Sequence, residues 1–325
     1  PTAARRRAMS RSRSSRPEWS ERFVTLPRAR WTASGSETLG SLLERAGESA
    51  ALAEGRVFVD RRRASDAASF PAHGSIVEVY ARRDVAEAPR ILRVERGLAF
   101  VDKPVGLATE PERRGSTESV VHRIATELGV VPQSVNALSR LDVGVSGVVV
   151  LGLDTQARQR VQQYREHGLW RRRYVALAAA QPELEAGSWN APIAKRGSLR
   201  VVHPSGEHAV TNYRVTGRSS GGAAACVLAL DPMTGRTHQL RVHAAAHGAP
   251  LFGDRSYGGP RRVVAQNGAV LALSRIFLHA TWVDLPDQGR IVAPLPAEFE
   301  SLWSAFHGEI GALTAAVELE PIAPP

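Results

Sequence analysis

Short apolar runs alternate with polar, glycine-marked breaks along this chain. The run Val148–Leu151 is apolar, largely β-branched and bounded by Gly147 and Gly152, which predicts a buried strand. Leu98–Asp102, Tyr174–Ala180 and Ala225–Asp231 predict three more strands. Helical spacing takes over between them. Val120, Val121, Ile124 and Leu128 share one face of a helix expected over Ser116–Leu128, with Glu118 at its positive end. Asp154 is placed to cap a helix that runs to His167 and stops at Gly168. A turn at Gly235 leads into a helix through His247 that carries Leu240 and Val242. Phe299, Leu302, Trp303 and Phe306 form the apolar stripe of a last helix, a core stripe rather than a ligand site.

The pattern also divides the chain. Residues 1–36 are basic, Arg/Ser-rich and without hydrophobic periodicity, so they are expected to be disordered or to fold only on a partner. Residues 37–83 read as a small module. It has a helix Thr38–Ala46 with Leu39, Leu42 and Leu43 on one side, then a strand in G-R-V-F-V-D that ends in the basic turn Arg61–Arg63. A second strand carries Ile76, Val77, Val79 and Tyr80. Pro89 and its charged neighbours mark 84–91 as a linker. The main domain spans 92–308, and 309–325 is expected to be a loose tail. No internal repeat is visible.

Charge narrows the partner. The formal net charge is +10, which calls for a polyanionic partner. The cations are almost all Arg, with Lys103 and Lys195 the only lysines. That bias has two readings, bidentate recognition of phosphate and the codon usage of a GC-rich genome. Cys226 is the only cysteine and lies in an Ala-rich apolar run, which reads as an inert core thiol in a reducing cytoplasm. No apolar run approaches the length of a membrane span, and the basic N-terminus lacks the apolar core of a secretory signal.

Candidate chemistry begins at S-R-L-D-V-G-V-S-G-V, residues 139–148. Asp142 is an acid beside a buried strand, and such an acid is costly unless paired. Arg140 is too near in sequence to settle the pairing. A second polar block, M-T-G-R-T-H-Q-L-R-V-H from Met233 to His243, holds Arg236, His238 and Arg241 beside Leu240 and Val242. Arg241 is the candidate partner that keeps Asp142 ionised. Tyr174 follows the basic run Arg171–Arg173, where an aromatic flanked by cations suits a stacked base, although a half-buried core tyrosine fits the same pattern. His238, His243 and His247, with Asp254 nearby, also have spacing that a metal-dependent hydrolase would use.

These blocks together resemble the RluA-type pseudouridine synthases. S-R-L-D-V-G-V-S-G-V is similar to the family's H-R-L-D-x-x-T-S-G-L. G-R-T-H-Q-L-R-V-H followed by G-A-P-L-F-G-D-R-S-Y-G matches its later block. K-P-V-G-L at 103–107, Arg172–Leu177 as R-x-Y-x-A-L, and Leu278–Ala280 as L-H-A follow in family order across about 92–305. The resemblance implies an α+β catalytic domain on a mixed, largely antiparallel central sheet with flanking helices. It implies isomerisation of uridine to pseudouridine in RNA, ribosomal or transfer, with no cofactor and no metal.

By that match Asp142 is the essential carboxylate, attacking the anomeric carbon or removing a ribose proton as the base departs. Tyr174 lies against the flipped uracil, Arg241 pairs with Asp142, and Arg140 reaches the RNA backbone or fills the space the base leaves. Leu240 forms part of the apolar wall, and Arg236 and His238 bind substrate. The chain departs from the pattern at Ser139, usually His, and at Val143–Val145. An alternative is a non-catalytic RNA-binding or ribosome-assembly protein on the same fold. The module at 37–83 resembles the α-L RNA-binding domain, with Arg56, Arg61, Arg62 and Arg63 as its RNA contacts. A cytoplasmic monomer without membrane attachment is expected.

Overall fold

The computed structural model describes residues 29–53, 56–60, 62–79, 87–111, 119–220, 224–264 and 270–321. The chain divides into two units after Arg83. In the first, β1 (Ala29–Thr32), α1 (Leu39–Arg45), β2 (Val57–Val59), β3 (Arg62–Arg63) and β4 (Ile76–Val79) form a sheet in the order β1-β4-β2-β3 with one helix. Its core is Leu39, Leu42, Leu43, Val57, Val77 and Val79. The hydroxyl oxygen of Thr38 caps the helix by accepting from the Ser41 N–H.

Two expectations change here. The basic N-terminal stretch, expected to lack structure through residue 36, supplies β1, with Trp31 opposite Val77. One large apolar residue is too faint a pattern to announce an edge strand, and pairing with β4 supplies what the pattern lacks. Arg56, expected to contact RNA, lies 3.1 Å from Glu48 and is 12% exposed, so its charge is used within the unit. Arg62 and Arg63 are exposed, while Arg61 and Tyr80 lie outside the described residues.

The second unit begins with β5 (Arg90–Glu95), β6 (Leu98–Lys103), α2 (Val120–Glu127), β7 (Asn136–Ala137), β8 (Ser146–Gly152) and α3 (Thr155–Glu166). It continues through β9 (Arg171–Ala178), β10 (Ala186–Asn190), β11 (Ile193–Arg196), β12 (Leu199–Val202), β13 (Val210–Arg218), β14 (Cys226–Pro232) and α4 (Gln239–Ala246). The last elements are β15 (Arg262–Val264), β16 (Val270–Ala272), β17 (Leu278–Leu285), β18 (Gly289–Val292), α5 (Ala297–Ser304) and α6 (Gly311–Glu318). The central sheet runs β10-β13-β14-β9-β17-β8-β6-β5, with β18 on β17 and β7 on β8. It is mixed and largely antiparallel, as the sequence implies; the parallel pair is β17 with β8.

That parallel junction aligns a row across the middle of the sheet. Gly147 pairs with Ala280, Ala280 with Tyr174, and Tyr174 with Leu230. Gly147 has φ 114°, and a Cβ there would lie 2.2 Å from the Ala280 carbonyl oxygen, so only glycine permits the approach. A buried chain of side chains fastens the same place. Arg275 donates to the Ser146 hydroxyl, which donates to His279 Nδ1 at 2.8 Å. The His279 Nε2–H then faces the Ala293 carbonyl.

Helix ends explain the other differences. α2 starts at Val120, capped by the Ser119 hydroxyl, which accepts from the His122 N–H; Ser116–Glu118 of the expected helix lie outside the described residues. The expected loose tail instead forms α6, whose Leu313 and Ala316 are buried in one core with Trp303 and Phe306. Arg173, fully buried and paired with Asp231 at 2.9 Å, donates to the α6-terminal carbonyls of Ala316 and Leu319. A cation at a helix C-terminus satisfies carbonyls that have no partner within the helix. Cys226 is the inert core thiol expected, its pKa pushed by burial up to about 12.

Burial holds the His279 imidazole down to about 3, against 6.5 for a free ring. Between those values the unfolded chain takes up a proton that the folded chain refuses. Stability from keeping this ring neutral is complete above about pH 6.5 and falls by about 1.4 kcal/mol per pH unit toward pH 3. Urea denaturation from pH 7 to pH 4 should show that slope. It should flatten in His279→Asn, whose amide oxygen replaces the Nδ1 acceptor.

Candidate active site

Asp142 sits in the loop that enters β8, and its neighbours are clamped. The Thr109 hydroxyl donates to the Leu141 carbonyl at 2.9 Å and accepts from the Leu141 N–H at 3.1 Å. The Gly106 N–H donates to the Val143 carbonyl at 2.7 Å, and the Ile276 N–H to the Gly144 carbonyl at 3.1 Å. Val145 turns into the core. The carboxylate of Asp142 stays 28% exposed.

α4 delivers the cation. The turn before it is fastened by Gln239, whose amide oxygen accepts from the Arg236 N–H and the Thr234 hydroxyl and whose amide nitrogen donates to Val210 and Thr211. This satisfied network explains why so polar a segment is buried. Arg241 Nε and Nη2 donate to the two oxygens of Asp254 at 2.6 and 2.7 Å. The remaining Nη1 donates to Asp142 Oδ2 at 2.6 Å. Burial opposes the guanidinium's charge, but the hydrogen bonds and charges of Asp254 and Asp142 outweigh it and raise its pKa. The Tyr257 ring lies under the guanidinium at 4.9 Å.

His238, the residue before α4, adopts a left-handed backbone with φ 58°. Its Nδ1 is 2.7 Å from the Tyr257 hydroxyl, and its Nε2 is 3.7 Å from Asp142 Oδ1. Burial pushes the imidazole below its ordinary range; Asp142 opposes this, and Arg241 and Arg200 reinforce it. Tyr174 is buried on β9 in one apolar cluster with Leu240, Leu141 and Ala280. Burial pushes its phenol up, Arg172 opposes, and Asp142 adds to the rise, so Asp142's charge reaches it. Lys103 is fully buried at the end of β6, donating to the Pro104 and Leu107 carbonyls at 2.9 and 2.7 Å. Burial brings it down to about 7, with Asp142 opposing and Arg275 reinforcing.

The structure therefore brings Asp142, Arg241, His238, Tyr174 and Leu240 together. Arg236 is held to one side by Glu207 at 2.6 Å and the His208 carbonyl. Arg140 is exposed, 3.4 Å from Glu110. Ser139 accepts from the Val150 N–H at 2.9 Å and lines a small cavity with Trp170, Arg172 and Tyr174. The histidines of the metal alternative do not converge. His243 engages Thr211 and the Ala191 carbonyl with its two nitrogens, and His247 stacks on Trp189. Among the described residues no cluster of three His, Cys, Asp or Glu side chains is arranged to hold a metal. Sequence reasoning missed Lys103, Thr109 and Tyr257, and considered Asp254 only as a metal ligand. The G-D-R-S-Y-G block spells out two of them, but nothing in its spacing aims them at Arg241.

Residues 97–246 match the RNA pseudouridylate synthase family. The chain is similar to RNA pseudouridine synthase YhcT of Bacillus subtilis, 30% identical over 257 residues, covering 76% of this chain and 78% of that one. This chain belongs to the RNA pseudouridylate synthase family. The dual-specificity RNA pseudouridine synthase RluA of Salmonella typhimurium is 33% identical over 218 residues, 64% of this chain and 93% of that one. The fold is that of human RNA pseudouridylate synthase domain containing 4, with TM-score 0.54 at 24% identity over 68% of this chain and 94% of that chain. Isomerisation of uridine in RNA is thus the reaction class of this synthase.

The two carboxylates on Arg241 differ in burial, and stability should separate them. Asp254→Asn leaves a buried guanidinium underpaired and should cost about 3 kcal/mol or more in urea unfolding. Asp142→Asn, at a partly exposed position, should change stability by no more than about 1 kcal/mol.

Proposed function

We propose that this synthase converts uridine to pseudouridine in ribosomal or transfer RNA, with Asp142 as the group that acts on the ribose. The observation that carries this reading is the 2.6 Å contact between Asp142 Oδ2 and Arg241 Nη1. It ties Oδ2 to a buried cation and leaves Oδ1 without a hydrogen bond among the described residues. In the reaction the bond from ribose C1′ to uracil N1 breaks and the base keeps the electron pair. The base then turns against Tyr174 and Leu240, and C5 bonds to C1′. The C5 proton is lost and N1 is protonated, so no atom enters or leaves overall. Extruding the target from its stack costs a few kcal/mol, and contacts from a chain of charge +10 to the RNA backbone offset that cost. Arg140 and the exposed Arg62 and Arg63 supply such contacts.

We further infer a cytoplasmic monomer that needs no metal or cofactor. No helix among the described residues is long and apolar enough to cross a membrane, and the one thiol is buried. Elution as a single 35.1 kDa species on size exclusion, and full activity after dialysis against a chelator, are the expected results.

Purified protein incubated with unmodified ribosomal and transfer RNA transcripts should form pseudouridine at discrete positions, read by carbodiimide labelling and primer extension. Asp142→Asn should lower turnover by about 1,000-fold or more, with RNA affinity kept within about threefold. Retained turnover in that variant, or no product with the wild type on any transcript, would sink the reading.

A further inference from the structure

Two unmet polar groups face each other in the site. Asp142 Oδ2 is taken by Arg241, but Oδ1 has no hydrogen-bond partner among the described residues. His238 Nε2 lies 3.7 Å from that oxygen, too far for a hydrogen bond. The two side chains are 28% and 22% exposed, so both remain open to a ligand.

The contacts of Tyr257 bear on which His238 nitrogen carries the proton. The Tyr257 hydroxyl oxygen accepts from the Arg200 N–H at 3.0 Å. Among the described residues its one other hydrogen-bond partner is His238 Nδ1 at 2.7 Å. With the hydroxyl hydrogen placed on that contact, Nδ1 is the lone-pair nitrogen, and in the neutral ring the hydrogen sits on Nε2. Arg200 belongs to the β11–β12 hairpin, and Ile193 of that hairpin packs with Val242 and Tyr257. The left-handed backbone of His238 fits the same picture, because such a conformation persists only where the surroundings over-determine it.

We propose that His238 Nε2–H and Asp142 Oδ1 together bind the ribose 2′-hydroxyl of the target uridine, with Tyr257 as the residue that positions His238. A hydroxyl donates and accepts at once, so it satisfies an open acceptor and an open donor that stand too far apart to satisfy each other. The uracil carbonyls only accept, and its N3–H only donates. The 2′-hydroxyl is also on the carbon next to C1′, where Asp142 acts, and its double hydrogen-bonding capacity is what distinguishes RNA from DNA. This inference rests on the pseudouridine synthase reading and assigns the ribose subsite of that same site.

The test is a cycle between protein and substrate. A stem–loop RNA containing the mapped target is prepared with uridine or with 2′-deoxyuridine at that one position. Wild type, His238→Ala, His238→Gln and Tyr257→Phe are compared on both. On the ribose substrate His238→Ala should lose about 10- to 100-fold in kcat/KM. His238→Gln should recover part of this, because its amide nitrogen places a donor near the position of Nε2. Tyr257→Phe keeps the ring beneath Arg241 and should lose about 3- to 10-fold. On the deoxy substrate the wild type should be slow, and none of the three substitutions should slow it much further. Equal losses on both substrates would overturn the assignment. So would a nitrogen-15 spectrum of histidine-labelled wild type that places the His238 proton on Nδ1, a readout that holds even if a variant folds poorly. Absence of product with the wild type on the ribose substrate is a different outcome, since it removes the underlying enzymatic reading and this one with it.

Discussion

Arg241 spreads its guanidinium between two carboxylates, and the rest of the site depends on how that sharing is divided. Asp254 takes the Nε and Nη2 edge in a bidentate grip and is almost completely buried. Such a pair contributes little net stability, since both charges lose their water, but it leaves the planar fork one orientation. The third nitrogen is then presented to Asp142 from a cation that is already immobile. Asp142 accordingly gives up little mobility of its partner when it pairs. Tyr257 completes the arrangement by lying under the guanidinium face while its hydroxyl holds His238.

The sheet supplies the floor on which these groups meet. One parallel step, β17 beside β8, puts Gly147, Ala280, Tyr174 and Leu230 in a single row. The loop before β8 carries Asp142 and the helix after β14 carries Arg241, and their neighbours Leu141 and Leu240 share one core with Tyr174. Ser146, His279 and Arg275 lock the step from below with charge-assisted and neutral hydrogen bonds. Lys103, Thr109 and Gly106 brace the loop from β6 and the turn after it. Val145 packs inward from the loop before β8 and leaves this bracing untouched.

Much of this was readable in advance where pattern and packing agree. Val148–Leu151 is apolar at every position and becomes the fully buried β8, and Asp154 caps α3 as its residue type predicts. Expectations failed where a weak local pattern is completed by a distant partner. β1 has little hydrophobic content of its own and exists by pairing with β4. α6 looked like a tail because its stripe is small, mostly alanine, and its C-terminal carbonyls are satisfied by Arg173 from a strand far away in sequence. Arg56 looked like an RNA contact because charge alone does not reveal a carboxylate such as Glu48 folding against it.

By itself the sequence determined the chemistry's inventory: an acid before a buried strand, a polar block carrying Arg241 and His238, and an aromatic behind a basic run. Residue type, spacing and order carry that information, because each strand and helix is specified by a local period. Which oxygen of Asp142 is held and which is open was decided only by the tertiary structure. So was the choice of Asp254 rather than Asp142 as the deep partner of Arg241, and the seating of His238 Nδ1 against the Tyr257 hydroxyl. Those are questions of angle and distance between residues as far apart as 142 and 241, and hydrogen bonds at 2.6 Å depend on them more steeply than any sequence pattern can record.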